Sequence, residues 1–169
     1  AEVVAVDVGY GQLHERLRAD PRVEVHERTN IRTLTAAVVS PPVDLVVGDL
    51  SFISLTLVLD PLIAVTARTG DLVLMVKPQF EVGRGRVGKG GVVRDPGLRA
   101  EAVEAICAAA DVRGWGARAL AVSRLPGPSG NLEFFVWLRR GARSVDPDRV
   151  DREVRAASGP GDRDEKVGR

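Results

Sequence analysis

The sequence predicts an α/β fold, a mostly parallel sheet with helices on both faces. Three observations carry this. Short valine-rich apolar runs alternate with stretches of helical spacing, the pattern of strand–helix–strand units. Several of these runs end in a charged residue at what would be the strand tip. The last two strand-like runs have only a turn between them, so they predict an antiparallel pair.

Val3–Val8 is the first run, with Asp7 at its end and Gly9 and Gly11 in the turn beyond. Gln12–Asp20 has leucines at helical spacing and closes at Pro21. Val23–Glu27 reads as a second strand. Ile31–Val39 is expected to be a short helix ended by Pro41 and Pro42. Val43–Leu50 is the third strand, with Asp49 at its tip. Ser54–Ala67 is expected to be helical, although β-branched residues and Pro61 weaken that pattern. Asp71–Lys77 is the fourth strand and ends in a lysine.

Pro78–Pro96 is expected to be a long irregular loop, rich in glycine and cationic through Arg84, Arg86, Lys89 and Arg94. Gly97–Gly114 has the strongest helical pattern, alanine-rich and apolar at helical spacing. Ala117–Leu125 and Leu132–Arg140 are the final strands, joined through the turn-forming PGPSGN. Beyond Gly141 the chain turns to charge, Pro and Gly. Residues 142–169 are therefore expected to form a disordered or loosely helical tail, and residues 1–141 one domain.

Lys and Arg number 24 and Asp and Glu 23, so the chain as a whole is not an obvious polyanion binder, although a local basic patch is compatible with that balance. Cys107 is the single cysteine, which excludes an internal disulfide or a cysteine-based zinc site. No apolar run is long enough to span a bilayer, so no stable membrane association is expected. The sequence begins inside an apparent strand, from which we expect a piece of a longer protein. The only lysines are Lys77, Lys89 and Lys166, so one at the tip of an apolar strand stands out.

Ligands of open α/β sheets bind beyond the C-terminal ends of the strands. Asp7, Asp49 and Lys77 should share that edge. Glu133 opens the last strand. If that strand runs antiparallel, Glu133 faces the same edge. Asp49 and Lys77 are either a structural ion pair or a catalytic one, in which a lysine partly desolvated by apolar neighbours becomes a better base. Asp7 suits the hydroxyls of a cofactor ribose. The glycine loop is either a solvated linker or a holder of phosphates.

The stretches AVDVGYGQL, ERTNIR, DLVVGDLSFISL, VKPQFEVGR, GKGGVVRDP and SGNLEFF, in this order from about Ala5 to Arg140, together resemble the TlyA family. Its members are described both as hemolysins and as ribosomal RNA 2′-O-methyltransferases. The resemblance implies a Rossmann-like, FtsJ-like methyltransferase domain that uses S-adenosylmethionine to methylate cytidine ribose in 16S and 23S ribosomal RNA. It implies a Lys–Asp–Lys–Glu tetrad in which Asp49, Lys77 and Glu133 match the last three members. Asp7, Thr29, Asn30 and Asp49 would then face the cofactor, and Arg84, Arg86, Lys89 and Arg94 the RNA. The first lysine, the glycine-rich first strand and an S4-type RNA-binding domain have no counterpart here. The expected setting is a cytoplasmic enzyme acting on ribosomal subunits without a metal. The alternatives are an RNA-binding module without activity and a membrane-active hemolysin.

Overall fold

A computed structural model describes residues 1–158. Six strands form two sheets. β1 (Val3–Val6) and β2 (Val23–His26) pair in parallel. The second sheet has the order β3 (Val43–Gly48), β4 (Thr66–Val76), β6 (Phe134–Arg140), β5 (Trp115–Val122). β3 and β4 are parallel, and β6 runs antiparallel to both β4 and β5. The α/β class and the closing antiparallel pair are as expected.

The main core lies between this sheet and α4 (Pro96–Asp111). Leu72, Leu74 and Val76 of β4, Phe134, Val136 and Leu138 of β6, and Val103, Ile106 and Ala110 of α4 are all fully buried. Asp95 caps α4 through its carboxylate on the Gly97 N–H, and Pro96 occupies the first turn, where no backbone donor is needed. Cys107 lies against this core, and burial pushes its thiol up to about 11, so it behaves as a small apolar residue.

The two sheets are not hydrogen-bonded to each other. A smaller cluster of Leu34, Val39 and Val65 connects them, with Val4 and Val6 of β1 and Val43 and Val46 of β3 packed against it. A cleft of about 370 Å³ lies where β1 and β3 approach, lined by Val3–Asp7 on one side and Val47 on the other. Leu45 and Val47 are 53% and 72% exposed, an apolar face that parallel strands ordinarily keep covered.

Several expectations are corrected. Ile31–Val39 holds only a 3-10 turn at Ile31–Thr33, because threonines and β-branched residues favour other conformations over a helix. The helix expected over Ser54–Ala67 splits into a 3-10 turn, Leu55–Leu57, and α2 (Leu59–Val65), and β4 begins already at Thr66. The first helix shortens to α1 (Glu15–Arg18). Pro78–Pro96 is not structureless: it contains α3 (Pro78–Glu81) and 3-10 turns at Arg84–Arg86 and Lys89–Gly91.

The charged tail is corrected as well, as far as it is described. Pro147–Ala157 forms α5, capped by Asp146 on the Asp148 N–H. Val150 and Val154, four residues apart on one face, are buried at 2% and 0% exposure. The pairs Arg149–Glu153 and Arg155–Asp151 line the outer face. Residues 159–169 lie outside the described residues. Arg99 is buried on α4, and its Nη1 donates to Ser158 Oγ at 2.8 Å, tying the end of α5 to the core.

Deletion of residues 147–169 therefore lowers stability by at least about 2 kcal/mol, the scale of uncovering two buried valines. Urea unfolding compared with the undeleted chain measures this, and an unchanged midpoint would mean that α5 is not part of the fold.

Candidate active site

The C-terminal edge of the larger sheet gathers its side chains through two loops and one strand entrance. β3 ends at Gly48 and Asp49 follows; β4 ends at Val76 and Lys77 follows. Because these strands are parallel neighbours, the two side chains meet. Lys77 Nζ lies 2.6 Å from Asp49 Oδ1 and donates to Ser51 Oγ at 3.1 Å. The Lys77 side chain is only 12% exposed, whereas that of Asp49 is 67% exposed. The cation is sheltered and its carboxylate partner faces solvent.

Glu133 arrives from the opposite direction. Val76 is the register partner of Phe134, so one further step of the antiparallel ladder sets Glu133 opposite Lys77. Its buried carboxylate accepts from Gln79 Nε2 at 3.2 Å. A Cβ at Gly127 would lie 2.7 Å from Glu133 Oε1, so the glycine lets its turn pass close over this carboxylate. The expected trio thus shares one edge. The direct pair is Asp49–Lys77, while Glu133 is held by Gln79.

Sequence reasoning missed four neighbours. Phe52 is 90% exposed, adopts φ 63°, and its ring lies 5.1 Å from that of Phe80. A bulky residue in this region carries strain of about 1–3 kcal/mol. Gln79 holds Glu133, and its own Oε1 is buried without a hydrogen-bond partner. Glu81 accepts from Ser54 Oγ at 2.6 Å and from the Leu55 N–H at 2.9 Å. Burial pushes the Glu81 carboxyl above its ordinary range, against the pull of these two donors. The one available signal was the exposed-type aromatic in LSFIS directly after Asp49.

On the smaller sheet, Asp7 stands just past β1. Its Oδ1 accepts from the Gly9 N–H at 2.6 Å, and its backbone bonds to His26 and Thr29 knit the two strand exits together. The side chain is exposed at the mouth of the β1–β3 cleft. Thr29 Oγ1 donates to the Glu27 carbonyl, and Asn30 Oδ1 caps the turn at the Arg32 N–H. Asn30 is thus engaged in holding its own turn. Asp7 has the chemistry for a cofactor ribose, a carboxylate with Oδ2 turned to no donor among the described residues.

The basic loop is partly tied down. Both oxygens of Glu101 pair with Arg86, at 2.6 and 2.7 Å, and Arg86 Nε donates to the Val82 carbonyl. Arg86 therefore acts as an anchor of the loop. Arg94 Nη1 reaches the Lys89 carbonyl at 3.4 Å. Arg84 and Lys89 are exposed and have no ion-pair partner among the described residues. Asn131 fastens the far side: its Oδ1 accepts from the Val93 N–H and its Nδ2 donates to the Gly91 carbonyl, each at 2.9 Å.

Residues 1–140 match the family model of the FtsJ-like methyltransferase. The chain belongs to that family. It is 58% identical over 139 residues to the 16S/23S rRNA (cytidine-2′-O)-methyltransferase TlyA of Mycobacterium tuberculosis, a match covering 82% of this chain and 52% of that protein. It is 32% identical over 137 residues to the 23S rRNA (cytidine-2′-O)-methyltransferase TlyA of Campylobacter jejuni, covering 80% of this chain and 52% of that one. A relative from Brachyspira hyodysenteriae, 32% identical over 135 residues, covering 79% of this chain and 56% of that protein, is named Hemolysin A. A solved structure from Streptococcus thermophilus, named a hemolysin, superposes with a TM-score of 0.88 at 33% identity, covering 99% of this chain and 62% of that one. The chain spans about half the length of the curated relatives it matches. No helix among the described residues is long and apolar enough to cross a membrane, and no group of three or more His, Cys, Asp or Glu converges there as metal ligands.

Arg86→Ala is expected to loosen the loop more than the fold. Exposed pairs contribute about 0–1 kcal/mol, so the melting temperature should move little. Amide exchange over Gly83–Gly91 should accelerate. Unchanged exchange would show that Arg86 does not anchor the loop.

Proposed function

We propose that this chain is the methyl-transfer part of an S-adenosylmethionine-dependent ribosomal RNA ribose 2′-O-methyltransferase of the TlyA type, acting on cytidine. The observation that carries the reading is the Asp49–Lys77 pair with Glu133 opposite it at one strand edge. Lys77, once it has given up its own proton and is a neutral amine, is placed to take the proton of a ribose 2′-hydroxyl. Asp49 and Ser51 fix the position of its amine. Glu133, kept in place by Gln79 and the glycine turn, faces the same space and orients the hydroxyl. Most of the acceleration then comes from positioning.

S-adenosylmethionine, when bound, supplies the electrophilic methyl group. The donor set at the cleft fits it in part: Asp7 offers a free carboxylate oxygen for ribose hydroxyls at the mouth of a cleft with valine walls. Thr29 stands beside it. Asn30 fits less well, because its carbonyl oxygen is already committed to the Arg32 N–H.

On the RNA side, the exposed Phe52 ring, packed on the half-buried Phe80, offers a face for a base taken out of its stack. Arg84 and Lys89 are the cations free to meet phosphates, with Arg94 behind them; Arg86 serves mainly to hold the loop. Ribosomal RNA as substrate fits a cytoplasmic location, with ribosomal subunits as the partners.

Lys77→Ala in the intact protein should reduce single-turnover methylation of ribosomal RNA by about 10²–10⁴-fold, the usual weight of a general base. Cofactor affinity should stay nearly unchanged, because Asp7 stands on the other sheet. Lys77→Arg should not restore the rate, since a guanidinium does not give up its proton. Near-normal turnover by Lys77→Arg would reduce the role of Lys77 to positive charge.

The double variant Arg84→Ala/Lys89→Ala should weaken RNA binding and flatten its dependence on salt. Each lost phosphate contact removes about 0.7–0.9 from the log–log slope. Titrations at a series of salt concentrations measure it, and an unchanged slope would make the loop a spacer.

A further inference from the structure

The loop that carries Asp49 is held at two points, and the proposed chemistry uses only one. At the first, Asp49 and Ser51 meet Lys77. At the second, Ser54 Oγ and the Leu55 N–H both donate to the carboxylate of Glu81. Lys77 and Glu81 are the N-cap and the last residue of the single turn α3. The 49–55 loop is therefore clamped against the two ends of one helical turn. Between the clamps lies Phe52, at φ 63° and in contact with Phe80 on that same turn. The Asp49 end of the clamp is an ion pair whose carboxylate is mostly solvent-exposed. The Glu81 end is the sheltered one, and next to it Leu55 is buried at 2% exposure.

We propose that Glu81 is a positioning residue for methyl transfer: as a hydrogen-bond brace on Ser54 and Leu55 it fixes the Asp49–Phe52 loop against Lys77. This rests on the reading of Asp49 and Lys77 given above. Glu81 touches neither of them. It acts through the backbone, by deciding where the loop ends. A misplacement of about 1 Å at a reacting group costs up to about 10²-fold in rate. The strained Phe52 conformation is consistent with a loop held from both sides, since such strain persists only where its surroundings enforce it.

The brace needs the shape of Glu81 and not its charge. A glutamine keeps both bonds: its Oε1 accepts from the Leu55 N–H, and its Nε2 donates to Ser54 Oγ. The Ser54 hydroxyl then donates to Thr56 Oγ1, 2.7 Å away. An aspartate keeps the charge but is shorter by one carbon–carbon bond, about 1.5 Å, and loses both contacts.

The test uses Glu81→Gln, Glu81→Asp and Glu81→Ala in the intact protein, with Lys77→Ala alongside. Two quantities are read: hydrogen exchange at the Leu55 amide, and single-turnover methylation of ribosomal RNA at saturating cofactor. Glu81→Ala and Glu81→Asp should speed Leu55 exchange at least about 10-fold and slow methylation about 10–100-fold. Glu81→Gln should stay within about threefold of wild type in both. Ser54→Ala, which removes one of the two bonds, takes the place of Glu81→Ala should that variant not fold, with the same direction expected in both readouts. Glutamine as impaired as alanine would overturn the proposal, because charge would then matter. So would faster Leu55 exchange with unchanged methylation, or unchanged exchange in the alanine variant. If Lys77→Ala methylates normally, the reading of the site fails instead, and Leu55 exchange still decides whether the brace exists.

Discussion

The antiparallel pairing of β4 with β6 is the constraint on which the site depends. Leu72, Leu74 and Val76 pair with Leu138, Val136 and Phe134, and all six are fully buried. A slip of one residue would turn every one of these side chains to the other face of the sheet. Core burial therefore sets the register, and the register sets the site. Lys77 and Glu133 are each the next residue beyond a buried pair, so they come opposite one another without any attraction between them. Two ionisable groups that would gain little by meeting in water are brought together by the hydrophobic packing behind them.

What surrounds that edge is fastened to the same core. The Val93 peptide is gripped from both sides: Asn131 takes its N–H and Arg99 Nε donates to its carbonyl at 2.8 Å. Asn131 sits two residues before Glu133, and Arg99 reaches on to Ser158 beyond α5. The cationic loop is thus bound to the strand entrance that carries Glu133 and, through Arg99, to the C-terminal helix. Arg84 and Lys89 project from a loop whose two ends are fixed. In the proposed reading, a phosphate held there would meet a surface that has already lost much of its freedom, and less ordering would remain to be done on binding.

The sequence made the edge residues legible for a topological reason. Parallel neighbouring strands end on one side, so Asp49 and Lys77 are placed by direction alone, whereas Asp7 stands on the separate two-stranded sheet. Only one further assumption, an antiparallel last strand, was needed for Glu133. Glu81 and Gln79 were not legible, because their partners stand 26 to 54 residues away and meet them only across loops. Arg86 resembled a free phosphate ligand for the same reason: its partner Glu101 lies on α4, beyond the loop. α5 was concealed by composition. Its charge suggested a solvated tail, yet the signals of a helix were present in Asp146 and Pro147 at the start and in Val150 and Val154 four residues apart. Two valines suffice here because the remaining residues need only cover one side of α4.

The two halves of the proposed site rest on unequal foundations. Asp49, Lys77 and Glu133 stand on a four-stranded sheet with a continuous core. Asp7 and Thr29 stand on a two-stranded sheet, attached through the small cluster around Leu34, Val39 and Val65. Two-stranded sheets are marginal by themselves and depend on what packs against them. The open edges of β1 and β3 face one cleft, and the bare face of Leu45 and Val47 adjoins it. In the proposed reading, the side that would prepare the hydroxyl is organised by its own core, whereas the side that would face the cofactor depends on the small cluster joining the two sheets.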